Sequence, residues 1–581
     1  MTQYFSDAVV EFLHQQGFEY VAFNPGASFR GVHDSLVHED NAAIAPSIVM
    51  ACHEEIAVAI AHGYYKASNR HMAVFTHANV GLLHASMALF NAWCDRVPLF
   101  VVGGNGPLAA DLRRPWIDWI HTSQHLPKVV EDFVKWSDQP IGQRATLESL
   151  YRAHQLMDSG MKAPVFVTLD FDVQEQRLED GVRLLPADAA RPAVLPALDS
   201  RAAGELAARL RASRLPVLVV DFSGQDPRTL RPLVALAEAT GAAVVDRGNR
   251  LSFPSTHPQN VSGIEGDLLA AADLVIALDV QDLASALGAF LDLDDRGAPP
   301  PGTHVVTIGP GELLTSKWSA DHMPLVPVAQ AHSAQVLGSV EALLAALAAA
   351  PGDASGARER AERTGRLAAA HHKARATWAA EAERCAGQER MAVSSAVARI
   401  HEAVRDEEWV IVNSGSVTVD TWVRRLWPLE RPLSCLGLNG GGGLGYGPGA
   451  SVGAALAHKG DGTLCIDLQS DGDFLFTPSA LWSLSAYDVP LLVVVMNNRQ
   501  YQNSTRHAER IAAARDRATE HAHIGTGFEE NPVDFVTLAR AYNVHALERV
   551  ESLDGVVPAI TEAVAWIKEH GRPVLVELLT E

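Results

Sequence analysis

Cysteine is scarce in this 581-residue sequence, and basic charge is in deficit. The five cysteines are Cys52, Cys94, Cys385, Cys435 and Cys465. They are odd in number and no pair has Cys-x-x-Cys spacing, which argues against a disulfide framework and against a zinc site. Forty-seven Lys and Arg face 69 Asp and Glu, so the net charge is −22. No basic block offsets it, and we therefore expect neither nucleic acid nor a membrane as a partner.

Long apolar runs are also missing. No stretch reaches the length of a membrane-spanning helix. The first twenty residues, MTQYFSDAVVEFLHQQGFEY, have the pattern of an amphipathic helix and lack the basic and apolar regions of a secretory signal. Together with the cysteine pattern, this predicts a protein of the reducing cytoplasm.

The length predicts several domains, and apolar strands alternate with amphipathic helices along most of the chain. Periodicity lapses at residues 178–196 and again at 350–365, so we expect linkers there. The predicted domains are residues 1–178, 196–350 and 370–581. Residues 95–105 and 487–498 repeat one pattern, a buried strand after a helix, which suggests that the first and last domains share a fold.

The most informative segment runs from Thr463 to Asn498 and predicts a strand, a turn, a helix and a second strand. Thr477 before Pro478 reads as the helix N-cap. VPLLVVVM has the continuous β-branched pattern of a strand in a parallel sheet. In such a unit Asp471 and Asn498 follow the carboxyl ends of the two strands and become neighbours. Their oxygens suit Mg²⁺.

This segment resembles the motif of thiamine diphosphate (ThDP) enzymes, Gly-Asp-Gly followed by about two dozen residues and Asn-Asn. The resemblance implies three Mg²⁺ ligands: Asp471, Asn498 and the carbonyl of Gln500. It also places Ser470, Gly472 and Asp473 at the cofactor. Ser470 departs from the motif, which has glycine there. The fold implied is α/β, with three doubly wound parallel-sheet domains: pyrimidine-binding, central and diphosphate-binding.

In the first domain residues 49–68 predict a helix whose Ala57, Ile60, Ala61 and Tyr64, at i, i+3, i+4 and i+7, should pack inward. Within it CHEEIAVAIAHGYYK resembles the family's RHEQ…ADGYAR stretch. The resemblance aligns Glu54 with the carboxyl group that promotes the imino tautomer of the cofactor's pyrimidine. Glu55 is expected to complement the helix dipole or face solvent.

The stretch FTHANVGLL stands where the acetolactate synthase group has TSGPGATN. His77 begins the replaced part and is a candidate acid–base group, although a structural or solvated histidine is the alternative. His33 and His84 are weaker candidates. The replacement also resembles, more loosely, cyclohexane-1,2-dione hydrolase.

The last domain contains LNGGGGLGYGPGA, which resembles the family's glycine-rich segment before a helix. The resemblance makes Leu444 the apolar residue that props the cofactor in its bent form, with Gly445 beside it. Ser414, after the strand WVIVN, would touch the diphosphate or pyrimidine.

The central domain resembles the family's α/β unit, which carries flavin adenine dinucleotide (FAD) in acetolactate synthases. VSGIEGDLLAAADLVIAL matches their flavin-contacting stretch only in part. FAD is therefore left open as a second cofactor, and a purely structural domain is the alternative.

The resemblance implies a ThDP- and Mg²⁺-dependent carboligase or lyase that makes or breaks a carbon–carbon bond next to a carbonyl. The first-ranked candidate activity is that of an acetolactate synthase-like carboligase acting on 2-oxo acids. Alternatives are a 1,2-diketone hydrolase, a 2-oxo acid decarboxylase and a 2-hydroxyacyl lyase; a non-catalytic nucleotide-binding relative is a different class. The expected partners are a small carbonyl substrate and further copies of the chain, as a homodimer or homotetramer.

Overall fold

Three parallel β-sheets organise the chain. The structure is a computed structural model, and it describes residues 3–310, 325–349, 354–387 and 390–581. Every strand pairing inside these sheets is parallel. Helices cover the sheets, as buried strands on both faces require. The predicted class, three parallel-sheet α/β domains, is confirmed.

The first sheet has six strands in the order β2-β1-β3-β4-β6-β5. Its strands are β1 (Tyr20–Phe23), β2 (Ser47–Met50), β3 (Ala73–Thr76), β4 (Phe100–Asn105), β5 (Trp136–Asp138) and β6 (Val165–Asp170). Its helices are α1 (Phe5–Gln15), α2 (Arg30–Val37), α3 (Glu54–Ser68), α4 (Ala78–Cys94), α5 (Asp118–His121), α6 (Gln143–Asp158) and α7 (Phe171–Glu175).

The central sheet has five strands in the order β11-β10-β9-β7-β8. Its strands are β7 (Pro216–Val220), β8 (Ala243–Asp246), β9 (Leu274–Leu278), β10 (His304–Gly309) and β11 (Gln330–Ser333). Its helices are α8 (Ser200–Ala212), α9 (Leu230–Thr240), α10 (Gly266–Leu269), α11 (Leu283–Gly288) and α12 (Val336–Ala349).

The last sheet has five strands in the order β12-β13-β14-β16-β15. Its strands are β12 (Trp409–Asn413), β13 (Leu464–Ser470), β14 (Leu492–Asn497), β15 (His545–Ala546) and β16 (Val574–Leu579). The helices are α13 (Ala354–Arg384), α14 (Val393–Val404), α15 (Val417–Leu426), α16 (Tyr446–Ala457), α17 (Asp471–Phe474), α18 (Ala480–Ala486), α19 (Gln502–Ala514), α20 (Phe535–Ala541) and α21 (Val556–His570).

The predicted strand–turn–helix–strand unit is β13, α17, α18 and β14. The two strands are adjacent and parallel, with Ser470 opposite Met496. Two details of the prediction are wrong. The Asp-Gly turn is the short helix α17, and Thr477 does not cap α18, which begins after Ser479. The Thr477 hydroxyl instead donates to the carbonyl of Gly445 at 2.7 Å, because that carbonyl is buried beside it.

The helix predicted over residues 49–68 begins only at Glu54, since Val49 belongs to β2. Its inward face is as predicted: Ala57, Ile60, Ala61 and Tyr64 are fully buried.

Helix α3 crosses α16 of the last domain at very short range. A Cβ added to Gly63 would lie 1.9 Å from the carbonyl oxygen of Ala450, and one added to Gly453 would lie 1.8 Å from that of Ile60. Only glycine permits this backbone approach. The crossing fixes the start of α3 relative to the start of α16.

The first predicted linker, residues 178–196, has neither helix nor strand. In the second, 350–353 lie outside the described residues, and from Ala354 the chain is helical in α13, so the linker prediction fails there. Helices can begin in such small and charged sequence because Ala, Arg and Glu favour helix. Among the described residues, no helix is long and apolar enough to cross a bilayer.

Candidate active site

The carboxyl ends of β13 and β14 bring Asp471 to the loop 498–500. One carboxylate oxygen of Asp471 accepts the N–H of Arg499 at 2.7 Å, and the other accepts the N–H of Gly472 at 2.8 Å. The side-chain oxygen of Asn498 accepts the N–H of Gln500 at 3.2 Å. The structure thus brings the three predicted metal ligands to one edge of the sheet.

The donor set at this edge fits Mg²⁺, which prefers a carboxylate, a few neutral oxygens and the oxygens of a phosphate ligand. Asp471 is 2% exposed, and burial raises its pKa to about 6 against the opposing effect of the backbone N–H groups. Within the described residues no ion pair neutralises it, and the guanidinium of Arg499 binds Glu529 instead. A bound cation would compensate this buried charge.

Asp473 holds the glycine-rich segment at the start of α16. Its carboxylate accepts the N–H of Gly445 at 2.8 Å and that of Gly447 at 3.2 Å. Gln469 donates to the same carboxylate at 2.6 Å. Gly445 has φ +94°, which favours glycine, so the turn before α16 depends on it. Asp473 therefore shapes the loop; a direct cofactor contact stays a prediction.

Leu444, the predicted prop, is 38% exposed although it is apolar and lies beside buried residues. Ser470 is half-buried and its hydroxyl donates to the carbonyl of Gly415 at 3.2 Å. Ser414 is fully buried at the end of β12, and its hydroxyl lies 3.9 Å from the sulfur of Cys435. Gly472 packs closely under the Tyr501 ring, since an added Cβ would lie 2.5 Å from it. The cofactor contacts of these residues stay predictions.

Glu54 and Glu55 face different parts of the molecule. Glu54 is 7% exposed, and its carboxylate lies beside Gly81 of the first domain, which also borders the Cβ of His77. Glu55 does not face solvent as expected: its carboxylate lies against Gly445 of the last domain. Burial first, and then the charge of Asp473, raise the pKa of Glu55 to about 7. Side chains one position apart on a helix diverge by about 100°.

His77 precedes α4 and is paired with Ser28. The Ser28 hydroxyl oxygen lies 2.9 Å from Nδ1 of His77 and accepts the N–H of Ala78 at 3.1 Å. The Ser28 hydroxyl can donate to Nδ1 or accept from it, and in either case it orients the ring; when it donates, the ring proton lies on Nε2. Ala78 has φ +33°, an unfavourable value for a residue with a Cβ, so backbone strain is held at this position.

His121 lies next to His77. The ring centroids are 4.9 Å apart and the planes are nearly perpendicular, at 87°. Burial first, and then the neighbouring His121 and Arg114, hold the pKa of His77 below its usual value. The backbone near His121 is fixed, because the Asn79 side chain donates to the carbonyl of Ile120 at 2.9 Å. Ser28 and His121 therefore contact His77, and the Glu54 carboxylate and the Cβ of His77 both border Gly81.

Sequence reasoning missed Ser28 and His121 as partners of His77. Ser28 lies in the PGASF loop after β1, where an exposed small polar residue is ordinary. His121 is 44 positions away in an irregular segment with several histidines and tryptophans. The PGASF loop also borders a cavity of about 560 Å³, lined by Phe23, Pro25, Gly26, Phe29, Arg30, His33, Met50 and Tyr487 among others. His84, the other weak candidate, pairs with His53, with ring nitrogens 3.0 Å apart.

FAD in the central domain stays a prediction, and two cavities there border residues near the partly matching stretch or the strand ends. One cavity, beside Ser262 and Gly263 of the partly matching stretch, has a volume of about 190 Å³. Another, bounded by Asp221, Asn249 and Gln281, measures about 270 Å³. Both are smaller than the clefts of about 300–1,000 Å³ that hold drug-sized ligands, and FAD is larger than such ligands.

Two family models match this chain. Residues 4–126 match the N-terminal TPP binding domain of thiamine pyrophosphate enzymes. Residues 414–578 match their C-terminal TPP binding domain. The first range contains Glu54 and His77, and the second contains Leu444, Asp471 and Asn498.

Curated relatives align over most of the chain. Benzoylformate decarboxylase of Pseudomonas aeruginosa is 28% identical, with 92% of each chain covered. Acetolactate synthase 1, chloroplastic, of Zea mays is 24% identical, with 93% of this chain and 81% of that protein covered.

Solved structures share the fold. The ThDP-dependent 4-hydroxybenzoylformate decarboxylase of Rhodococcus jostii RHA1 superposes with a TM-score of 0.78 at 20% identity, covering 100% of this chain and 99% of that one. Benzoylformate decarboxylase of Polynucleobacter necessarius gives 0.76 at 17% identity, covering 100% and 98%. The chain belongs to the thiamine pyrophosphate (ThDP) enzymes and is an enzyme of that family, whose relatives here are decarboxylases and acetolactate synthases.

Proposed function

We propose that this enzyme decarboxylates a 2-oxo acid with ThDP and Mg²⁺. The observation that carries the proposal is His77: its Nδ1 lies 2.9 Å from the Ser28 hydroxyl, and its Cβ and the Glu54 carboxylate both border Gly81. A decarboxylase must return a proton to the carbon that loses CO₂, and a fixed imidazole N–H is suited to donate it. The similarity to benzoylformate decarboxylase supports the same reaction class.

Asp471, Asn498 and the Gln500 carbonyl would hold Mg²⁺, and the segment before α16 would receive the diphosphate. When bound, ThDP supplies the electron sink for cleavage of a bond next to a carbonyl. Glu54, in its buried position, would share a proton with the pyrimidine ring. Ser28 orients the His77 ring, and Nε2 of His77, when it carries the ring proton, would donate it to the substrate-derived carbon.

The cavity of about 560 Å³ beside the PGASF loop is large enough for a small 2-oxo acid with an apolar side chain. Phe23, Phe29 and Met50 make much of its lining apolar. This apolar lining supports a 2-oxo acid with an aromatic or branched aliphatic side chain as the substrate.

Acetolactate synthase-like carboligation is the second candidate function. The similarity of this chain to acetolactate synthases favours it. The sequence alone ranks it first. We rank it second because His77–Val80 replace the SGPG of that group, and because His77 has partners suited to proton donation.

A screen of aromatic, branched and short 2-oxo acids, with the products identified by NMR, tests the proposal. Release of CO₂ and the aldehyde in equal amounts supports it. Hydroxyketone products would favour carboligation. Cleavage of a 1,2-diketone or a 2-hydroxyacyl substrate without decarboxylation would overturn it.

We also propose that the active assembly is a homodimer or a homotetramer. The chain's own Gly445 lies beside the Glu55 carboxylate, whereas the Glu54 carboxylate lies beside Gly81 of the first domain. A second copy would bring another diphosphate site to Glu54, as an isologous pair allows. A fully active monomer by light scattering would contradict this.

A further inference from the structure

Asn91 of α4 binds the main chain of the glycine-rich loop of the last domain. Its side-chain oxygen accepts the N–H of Gly443 at 3.1 Å, and its side-chain NH₂ donates to the carbonyl of the same glycine at 3.2 Å. Asn91 is fully buried. One amide side chain thus satisfies both polar groups of one backbone residue across a domain interface. A carboxylate or an apolar side chain could not do both.

The loop approaches α4 closely at two of its glycines, Gly441 and Gly443. A Cβ on Gly441 would lie 2.5 Å from the Asn91 side-chain oxygen. A Cβ on Gly443 would lie 2.2 Å from the terminal methyl of Met87. At the loop's start, Lys66 of α3 donates to the carbonyl of Leu438 at 2.8 Å. The first domain therefore holds this loop at two points.

Gly443 immediately precedes Leu444, the predicted prop of the bent cofactor. The Leu444 side chain is 38% exposed, so its own packing holds it only in part. Its position then depends on the backbone, which Asn91 fixes one residue earlier. Asn439 also donates to the Gly443 carbonyl, at 3.3 Å, but it leaves the Gly443 N–H to Asn91 alone among the described residues.

We propose that Asn91 is a positioning residue for the cofactor: it sets the backbone at Gly443 and, through it, the placement of Leu444 against ThDP. This rests on the proposed role of Leu444 in the ThDP site. It extends the active-site apparatus to a buried residue of the first domain that touches neither substrate nor cofactor.

The test compares Asn91→Ala and Asn91→Asp with the unmodified full-length enzyme. Without cofactor, hydrogen exchange of the peptide containing Gly443 and Leu444 is measured by mass spectrometry. With Mg²⁺ and ThDP, affinity is measured by calorimetry, and exchange of the cofactor's C2 proton by NMR after acid quench. In Asn91→Ala we expect loop exchange to rise about tenfold or more and C2 exchange to fall about tenfold, as loss of two buried hydrogen bonds implies.

Asn91→Asp keeps an acceptor for the Gly443 N–H and should lie between the other two proteins in both exchange measurements. If Asn91→Ala does not fold, the two exchange measurements on Asn91→Asp test the proposal instead. Asn439→Ala is the matched control: it removes a donor from the same carbonyl and should leave exchange of the Gly443 N–H unchanged.

Unchanged loop exchange in both Asn91 variants would overturn the proposal. So would faster loop exchange combined with unchanged C2 exchange, since the loop would then not control the cofactor. If the unmodified enzyme binds no ThDP, the proposed function fails, and that result is seen separately from any effect of Asn91.

Discussion

The backbone N–H of Arg499 lies 2.7 Å from the carboxylate of Asp471, although 28 positions separate the two residues. The contact exists because β13 and β14 are parallel neighbours whose carboxyl ends meet at one edge. It leaves a buried carboxylate beside the side chain of Asn498. A divalent cation bound there would be coordinated by protein oxygens on one side and by phosphate oxygens on the other.

Asp471→Ala should weaken binding of ThDP in the presence of Mg²⁺ by about 100-fold or more, because losing one member of a buried charge pair costs about 2–5 kcal/mol. Calorimetric titration measures the effect. Asp406→Ala is the control, since that side chain is 92% exposed on the surface. Unaltered affinity in Asp471→Ala would show that the diphosphate is held elsewhere.

Glu54→Gln should slow exchange of the C2 proton of bound ThDP by about 10²–10⁴-fold, the usual contribution of a positioned acid–base group. Glutamine keeps the shape and a hydrogen bond but cannot share a proton. Glu55→Gln keeps the shape of the side chain beside Gly445 and removes no carboxyl group from the Glu54 position, so it should slow this exchange much less. If Glu55→Gln alone slows exchange, the alignment is off by one position.

Glu55 should make stability depend on pH. Its pKa is raised from 4.5 to about 7 in the folded protein. Between these values the folded state binds more protons than the unfolded state, so the free energy of unfolding falls as pH rises from about 4.5 to 7. Glu55→Gln removes this contribution. Denaturant titrations of both proteins across that range should show a smaller decline in the variant; parallel curves would contradict the buried placement of Glu55.

Local pattern was enough to predict the β13–β14 unit, because a continuous β-branched run and an Asp-Gly stop are local signals. It was also enough for the inward face of α3. The pattern also brought Asp471 and Asn498 together, whereas the resemblance supplied Glu54, Leu444 and the Gln500 carbonyl. The proposed chemical roles of these residues coincide with short sequence motifs, which can be recognised without the structure.

The remaining features depend on contacts between distant segments. Thr477 was expected to cap a helix, but its hydroxyl donates to the carbonyl of Gly445 instead. These two residues are distant in sequence and become neighbours only in the fold. Glu55 was expected to complement the helix dipole or face solvent, and it is instead half-buried, with its carboxylate against Gly445 of the last domain. Ser28 and Asn91 are ordinary in sequence and become significant only through His77 and Gly443. No periodicity records such pairings.

Gly453→Ala should destabilise the contact between the first and last domains. The added Cβ would lie 1.8 Å from the backbone carbonyl of Ile60, so the helices must separate. Overpacking of this kind typically costs about 1–3 kcal/mol or more. Thermal unfolding measures the change. Gly204→Ala is the matched control, because Gly204 lies in α8 with open space around it and alanine favours helix. Equal effects in the two variants would argue against the close crossing.

His121→Gln should raise the pKa of His77. Three effects lower that pKa in the folded enzyme: burial, the charge on His121 when it is protonated, and the charge of Arg114. Removing the charge of His121 makes protonation of His77 easier, while burial and Arg114 remain, so the pKa of His77 should return only part of the way to its usual value.

NMR titration of the histidine ring protons, with His77→Gln used for assignment, measures the shift in the pKa of His77. His125→Gln is the control, since His125 is exposed and lies on the same segment. An unchanged or lowered pKa of His77 in His121→Gln would show that the two rings are not electrostatically coupled. The 4.9 Å contact would then be packing alone, and His77 would act in the active site without His121.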